Sequence, residues 1–219
     1  MKRIEGMAVL GAAALLASLF GSGCAALAPL PAVGAKTADG WTVAYASDFN
    51  EPKLPKAWFV VDGEAKVADG ALTLIAEADS QGQVVLEKPK APGSVRVDIV
   101  AWLTGEALSD ISTVLNCDGT GYASGYILQF GGVANTQNRL LKLGEVVEST
   151  AKEAPLVSAG VKYCVSARND GGKISLLVDG KEVFAHKDSA PMTGNNQAQI
   201  GLYTWGCTLH VDRIVVYKK

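Results

Sequence analysis

The chain has little of what catalytic and metal sites are commonly built from. Histidine occurs twice, at His186 and His210, and cysteine four times, with no Cys-x-x-Cys pair. Structural zinc sites need several thiolate or imidazole ligands at short spacing, so that class is excluded and no metal ligands are assigned. Also absent are a Gly-x-Ser-x-Gly elbow, a His-Glu-x-x-His pair and a phosphate-binding loop. Basic residues do not outnumber acidic ones: 20 Lys and Arg stand against 22 Asp and Glu, a formal charge of −2, with no basic cluster. Without a positive field, nucleic acid is not expected as a partner. No long 3.6-residue hydrophobic period and no fixed-length repeat runs through the chain.

One uncharged apolar run is present, Met7 to Phe20, preceded by Met1-Lys2-Arg3 and followed by Gly21-Ser22-Gly23-Cys24. It is shorter than the about 20 residues a membrane-spanning helix needs, and the order of charge, apolar run and small residues is that of an export signal. Gly23-Cys24 resembles the lipobox of bacterial lipoproteins, although Gly21 stands where that family usually has Leu. The resemblance implies lipidation at Cys24, a signal over 1–24, a flexible Ala-, Pro- and Gly-rich tether over 25–37 and a single domain over 38–219. The protein is then expected in the bacterial cell envelope, touching the membrane through a lipid anchor only. Cleavage after Ala28, which Pro29 disfavours, would leave it secreted or periplasmic. Lipidation would leave Cys117, Cys164 and Cys207, an odd set in which at most one disulfide can close. Cys164 and Cys207 are expected as buried, unpaired thiols acting as small apolar residues.

After Trp41 the pattern is that of strands, short Val/Ile/Leu/Thr/Tyr segments cut by turn residues. Six Asp-Gly pairs, including Asp69-Gly70 and Asp179-Gly180, supply residues that tolerate the positive φ of tight hairpins. Asn138 to Glu148 has helix-forming residues, but Gly144 in its middle favours two strands meeting at Leu143-Gly144. In Ser94 to Leu103, Val95, Val97, Ile99 and Ala101 point one way and Arg96, Asp98, Val100 and Trp102 the other, one face dry and one wet. About a dozen antiparallel strands bury their apolar faces most readily as two packed sheets, so the fold is expected to be all-β, a two-sheet antiparallel β-sandwich of jelly-roll type.

Three stretches resemble the concanavalin A-like lectin/glucanase superfamily, including laminin-G-like jelly rolls and extracellular relatives of 3-keto-disaccharide hydrolases. They are Ser47-Asp48-Phe49 with Trp58 to Gly63 and Asp69 to Leu72; Ile174 to Val183; and Ile200 to Tyr217. The resemblance implies the fold and leaves activity open, because lectins, hydrolases, lyases and adhesion modules share that scaffold. The Glu-x-Asp-x-x-Glu strand of the superfamily's glucanases is missing. That spacing sets two carboxyls about 5 to 5.5 Å apart, as retention requires. Sandwiches of this superfamily often hold calcium near the first and last strands, where Asp48 and Asp212 fall, so a calcium ion is considered there although no cofactor is required.

Candidate binding residues are aromatic and polar side chains that a core does not need. Trp102 lies on the wet face of its strand, and Trp205 sits in a Gly-flanked turn. An indole can stack on a sugar ring, or Trp102 can be covered by a loop and Trp205 can cap the sandwich. Gln129, Asn135, Thr136, Asn138 and Arg139 form a polar set around Gly131-Gly132, able to bind hydroxyls or a carboxylate, or to cap the loop's own backbone. His210 and Asp212 share a strand face and can pair, an arrangement that is more often structural than catalytic. The expected function is recognition of a poly- or oligosaccharide by Trp102, Gln129, Asn135, Arg139 and Trp205. The alternative is a glycan-processing hydrolase related to the 3-keto-disaccharide hydrolases, recruiting carboxylates such as Asp98, Asp118 or Glu87 from different strands.

Overall fold

The computed structural model describes residues 29–150 and 154–219. The expected export signal over 1–24, with Cys24, lies outside the described residues. In chain order the strands are β1 Thr42–Ser47, β2 Trp58–Asp62, β3 Glu64–Ala68, β4 Ala71–Ile75, β5 Gln81–Leu86, β6 Val95–Thr104, β7 Ile111–Cys117, β8 Tyr126–Gly131, β9 Gln137–Lys142, β10 Glu145–Ser149, β11 Tyr163–Asp170, β12 Lys173–Val178, β13 Lys181–Lys187, β14 Gln199–Trp205 and β15 Thr208–Lys218. They form two antiparallel sheets. One has eight strands in the order β13-β12-β11-β6-β15-β4-β3, with β1 also pairing β15, and the other has seven in the order β10-β9-β8-β7-β14-β5-β2.

The alternation expected from Ser94 to Leu103 is what packs the sheets. Val95, Val97, Ile99, Ala101 and Leu103 of β6 join Leu72, Leu74, Leu209, Val211 and Ile214 in the core, against Val84, Leu86, Leu115, Leu128, Phe130, Ile200 and Leu202 of the seven-stranded sheet. Side chains one residue away on each of these strands face outward, so each sheet also has an outer face. The Asp-Gly hairpins form at both expected places, with Asp69, Gly70, Asp179 and Gly180 all at positive φ. Leu143 and Gly144 take the same form, φ 52° and 85°, and join β9 to β10 as two strands, not a helix.

Two local expectations change. The sequence puts 25–37 in the tether, yet Gly34 donates to the Val43 carbonyl, Val43 to Ala35 and Thr37 to Trp41, so 34–37 are folded into the domain. Trp41 is the reason: its buried indole packs with Val43, Val215, Tyr217 and Leu30. Cys117 and Cys207 are free and buried, as expected for small apolar residues. Cys164, by contrast, is disulfide-bonded. It lies one residue before Val165, which faces the core, so its own side chain points to the outer face and is only half-buried.

Candidate functional site

Antiparallel register sets six polar side chains in one row across the outer face of the seven-stranded sheet. Arg139 of β9 opposes Gln129 of β8, Gln129 opposes Ser112 of β7, and Ser112 opposes Tyr203 of β14. Tyr203 opposes Gln83 of β5, and Gln83 opposes Asp62 of β2. Five inter-strand steps make the row about 24 Å long. The next row toward Leu143 is apolar, Leu141, Ile127 and Val114, and Tyr122 of the β7–β8 connection folds onto it, its ring 4.9 Å from that of Tyr203. On the other side Trp205, two residues past Tyr203, opposes Gln81 and is 42 % exposed.

Asp110 supports one half of the row. Its carboxylate is buried and accepts hydrogen bonds from Ser109 Oγ at 2.8 Å, from Ser112 Oγ and from Gln129 Nε2 at 3.4 Å. Burial pushes its pKa up, more than these donors and the nearby Arg139 charge pull it down. Gln129, held by its amide nitrogen, turns its oxygen to Arg139, whose Nε donates to it at 2.9 Å. The relay fixes the guanidinium plane, and its terminal nitrogens make no hydrogen bond among the described residues, a fork suited to a carboxylate or a pair of hydroxyls. Tyr203 is neutral, its phenol pKa raised first by burial and then by the Asp110 charge.

The backbone beside this pair is strained. Gly132 is required, since a Cβ there would come within 2.7 Å of Gln129 Oε1 and 3.2 Å of Arg139 Nε. After it, Val133, Ala134 and Asn135 are all left-handed, with φ of 55°, 50° and 58°. That conformation costs about 1–2 kcal/mol for each such residue. Asn135 holds the turn by donating from Nδ2 to the Val157 carbonyl at 2.7 Å and accepting from Val157 N at 2.9 Å. It is therefore the clamp of the loop and not a free ligand-binding amide. Asn138 is likewise committed, bonding Gly131 N and the Pro155 carbonyl.

At the other half of the row, Gln83 is fully buried, and neither its amide nitrogen nor its oxygen finds a hydrogen-bond partner among the described residues. Leaving such a group unpaired costs about 1–3 kcal/mol. Its strand neighbours do have partners: Gln81 Nε2 donates to Asp62 Oδ2 at 2.6 Å.

Of the residues expected from sequence, Gln129, Arg139 and Trp205 therefore share one face, with Asn135 bracing its rim. Trp102 does not join them. It belongs to β6, opposes His210 on β15 and lies on the outer face of the eight-stranded sheet, the opposite side of the sandwich. There it stacks on His210 with ring centroids 4.8 Å apart, while Lys162 Nζ sits 4.5 Å over its ring. His210 in turn contacts Thr73 Oγ1 at 3.2 Å and Thr104 Oγ1 at 2.9 Å, and burial lowers its pKa. Asp212 does not pair with it: a register shift between Val211 and Arg213 separates them, and Asp212 pairs with Lys162 at 3.4 Å. No group of three or more His, Cys, Asp and Glu gathers among the described residues, and Asp48 caps its own turn at Asn50 N.

The carboxylates proposed for hydrolysis are also apart. Asp98 is on the Trp102 side of the sandwich, held by Arg96 and Ser166, whereas Asp118 follows β7 and Glu87 follows β5 of the other sheet. The sequence reading missed Asp110, Ser112 and Gln83. A signal for Gln83 exists: Gln81 and Gln83 alternate with Gly82 and Val84, polar residues where a strand shows its outer face.

No known protein family profile matches the chain, and no curated protein does. Solved structures are similar in fold. The carbohydrate recognition domain of Emp47p superposes with a TM-score of 0.60 at 14% identity, over 84% of this chain and 99% of that one. The carbohydrate binding module CBM66 from Bacillus subtilis gives 0.57 at 14% identity, over 74% and 92%. A β-1,3-1,4-glucanase (lichenase) derived from a mouse hindgut metagenome gives 0.57 at 15% identity, over 80% and 98%. The chain thus has the concanavalin A-like lectin/glucanase fold.

Proposed function

We propose that the protein binds a poly- or oligosaccharide on the outer face of its seven-stranded sheet, without cleaving it. The observation that carries this reading is the polar row. Its accessible members are the oriented guanidinium of Arg139 at one end, Asp62 at the other and the exposed indole of Trp205 beside it, over the buried side chains of Ser112, Gln129, Tyr203 and Gln83. Sugars present hydroxyls edge-on and C–H bonds face-on, so directional polar groups beside an aromatic plane match them. A row about 24 Å long has room for several rings in line. The lectin and binding-module neighbours agree with a carbohydrate ligand.

Cleavage is the weaker reading because the carboxyls of the row are badly placed for it. Asp110 and Asp62 lie three inter-strand steps apart, about 14 Å, beyond the about 6.5–9.5 Å used for inversion and the shorter separation used for retention. Incubating the protein with a panel of polysaccharides, and reading both retention and new reducing ends, tests the choice. Retention without new ends supports binding; new reducing ends overturn it.

The proposal includes export on the strength of the N-terminal sequence, and attachment to the cell envelope through Cys24 on the condition that Cys24 is not the disulfide partner of Cys164. Lipidation makes the Cys24 sulfur a thioether, which no disulfide can use. Peptide mapping under non-reducing conditions therefore gives one of two answers. A diacylglyceryl thioether on Cys24 supports the anchor, and Cys24 found in a disulfide overturns it.

A further inference from the structure

A separate cleft opens at the end of the sandwich where three connections meet. It has a volume of about 490 Å³ and is lined by Asp118, Ser124, Leu143, Asn195, Asn196 and Gln197, together with Gly194. That volume is within the range of small-molecule sites, about 300–1,000 Å³. It is distinct from the polar row, since Leu143 lies four residues beyond Arg139 along β9, about 13 Å away.

The walls are braced from behind. Asn116, left-handed at φ 52°, donates from Nδ2 to the carbonyls of Gly93 at 3.0 Å and Gln197 at 3.4 Å, and accepts from buried Asn169 at 2.8 Å. On the other side Lys142, next to Leu143, donates to the Ala190 carbonyl at 2.8 Å and pairs with Asp188 at 2.7 Å. Tyr126 Oη donates to Asp188 at 2.5 Å and accepts from Met192 N at 3.0 Å. The segment that carries Gly194 to Gln197 is thus tied at both ends, and the 118–125 connection closes on itself through Asp118, Thr120 and Ser124. A braced concavity is pre-organised, which lowers the entropic cost of binding.

The lining is chemically specific. The side-chain amides of Asn195 and Asn196 make no hydrogen bond within the described residues, and both residues are exposed to the cleft's solvent. Asp118 accepts at Oδ1 from the backbone N and the hydroxyl of Thr120. Thr120 is the main cause that lowers its pKa, so the group is ionised at neutral pH. Among the described residues no Lys or Arg lines the cleft, which disfavours phosphate, sulfate and carboxylate ligands. Amides donate and accept at once, as hydroxyls do, and a carboxylate oxygen accepts from hydroxyls. Leu143 adds an apolar surface, 54 % exposed and held in a left-handed turn that a branched apolar residue rarely adopts.

We propose that this cleft is a second binding site that takes a neutral, hydroxyl-rich saccharide unit, with Asp118, Asn195, Asn196 and Gln197 bonding its hydroxyls and Leu143 covering its C–H face. The site stands whether or not the sheet face binds glycan. The test is a titration of the full chain with glucose, galactose, mannose and, separately, calcium chloride, following the side-chain amide resonances of Asn195, Asn196 and Gln197. The expected result is a saturable shift with at least one sugar. Its apparent affinity should fall about tenfold in Asn196→Ala, as losing one or two hydrogen bonds implies, and stay unchanged in Trp205→Ala, which alters only the sheet face. Asn196→Ala should melt like the parent, since its exposed side chain makes no hydrogen bond among the described residues. The proposal is overturned if none of the three sugars gives a saturable shift, if calcium alone does, or if Asn196→Ala binds sugar as the parent does.

Discussion

The two outer faces of the sandwich carry similar residue types and use them differently. On the eight-stranded sheet the polar groups close on one another. Arg96 donates to both oxygens of Asp98 at 2.9 and 2.5 Å, Ser166 donates to Asp98, Arg168 donates to Ser166, and the Arg96 guanidinium lies 4.7 Å over Tyr217. Trp102 is sandwiched between Lys162 and His210. On the seven-stranded sheet, among the described residues, buried Gln83 has no hydrogen-bond partner, Arg139 is bonded at one nitrogen only, and Trp205 projects beside them. A network whose members are all satisfied stabilises the fold and has little left for a ligand; open hydrogen-bonding capacity costs stability and is recovered on binding. Charge and aromatic content do not tell the faces apart, whereas the bookkeeping of donors and acceptors does.

The largest expected effect comes from breaking the support of the open face. Asp110→Ala leaves Ser109, Ser112 and Gln129 without their acceptor in a buried place and should destabilise the protein by about 3 kcal/mol. Urea unfolding reads this, and a loss under about 1 kcal/mol would mean that Asp110 does not hold the row. Gln83→Met should act in the opposite sense, raising stability by about 1–2 kcal/mol because an unpaired buried amide is replaced by an apolar side chain of similar length. A destabilised Gln83→Met would show that the amide is already satisfied.

On the closed face, Trp102→Ala should lower stability by about 1–2 kcal/mol through the lost stacking on His210 and contact with Lys162, and should leave glycan retention intact. The smallest effect is in pH dependence. Asp110 has its folded pKa raised, so between the unfolded and folded values the unfolded chain has released a proton that the folded chain keeps. Its contribution to stability is complete below the unfolded carboxylate pKa and is lost as pH rises through the folded one. Asp110→Asn should flatten that part of the stability profile, and an unchanged slope would contradict the assignment.

Strands and hairpins were legible in the sequence because their signals are local: alternation at Ser94 to Leu103, positive-φ residues at Asp69-Gly70 and Asp179-Gly180, and the break at Leu143-Gly144. Gln129, Arg139 and Trp205 were found as polar or aromatic side chains that no core required. What local pattern does not contain is sheet order. Trp102 and Gln129 both look like outward residues of neighbouring segments, and only the assignment of β6 to one sheet and β8 to the other shows that they face opposite ways. The row itself joins residues as far apart as Asp62 and Tyr203, brought into line by register. The bond from Asn135 to Val157 was hidden for a related reason, because the two residues lie 22 positions apart in the chain.

The difference between the faces is tested most directly by retention on immobilised polysaccharide of three variants measured side by side with the parent, using one polysaccharide that the parent binds. The account predicts that Trp205→Ala loses retention while keeping the parent's melting temperature, that Arg139→Ala loses retention and melts lower because buried Gln129 loses its donor, and that Trp102→Ala melts lower and is retained as the parent is. Retention lost in Trp102→Ala and kept in the other two would contradict it, because the ligand would then lie on the closed face.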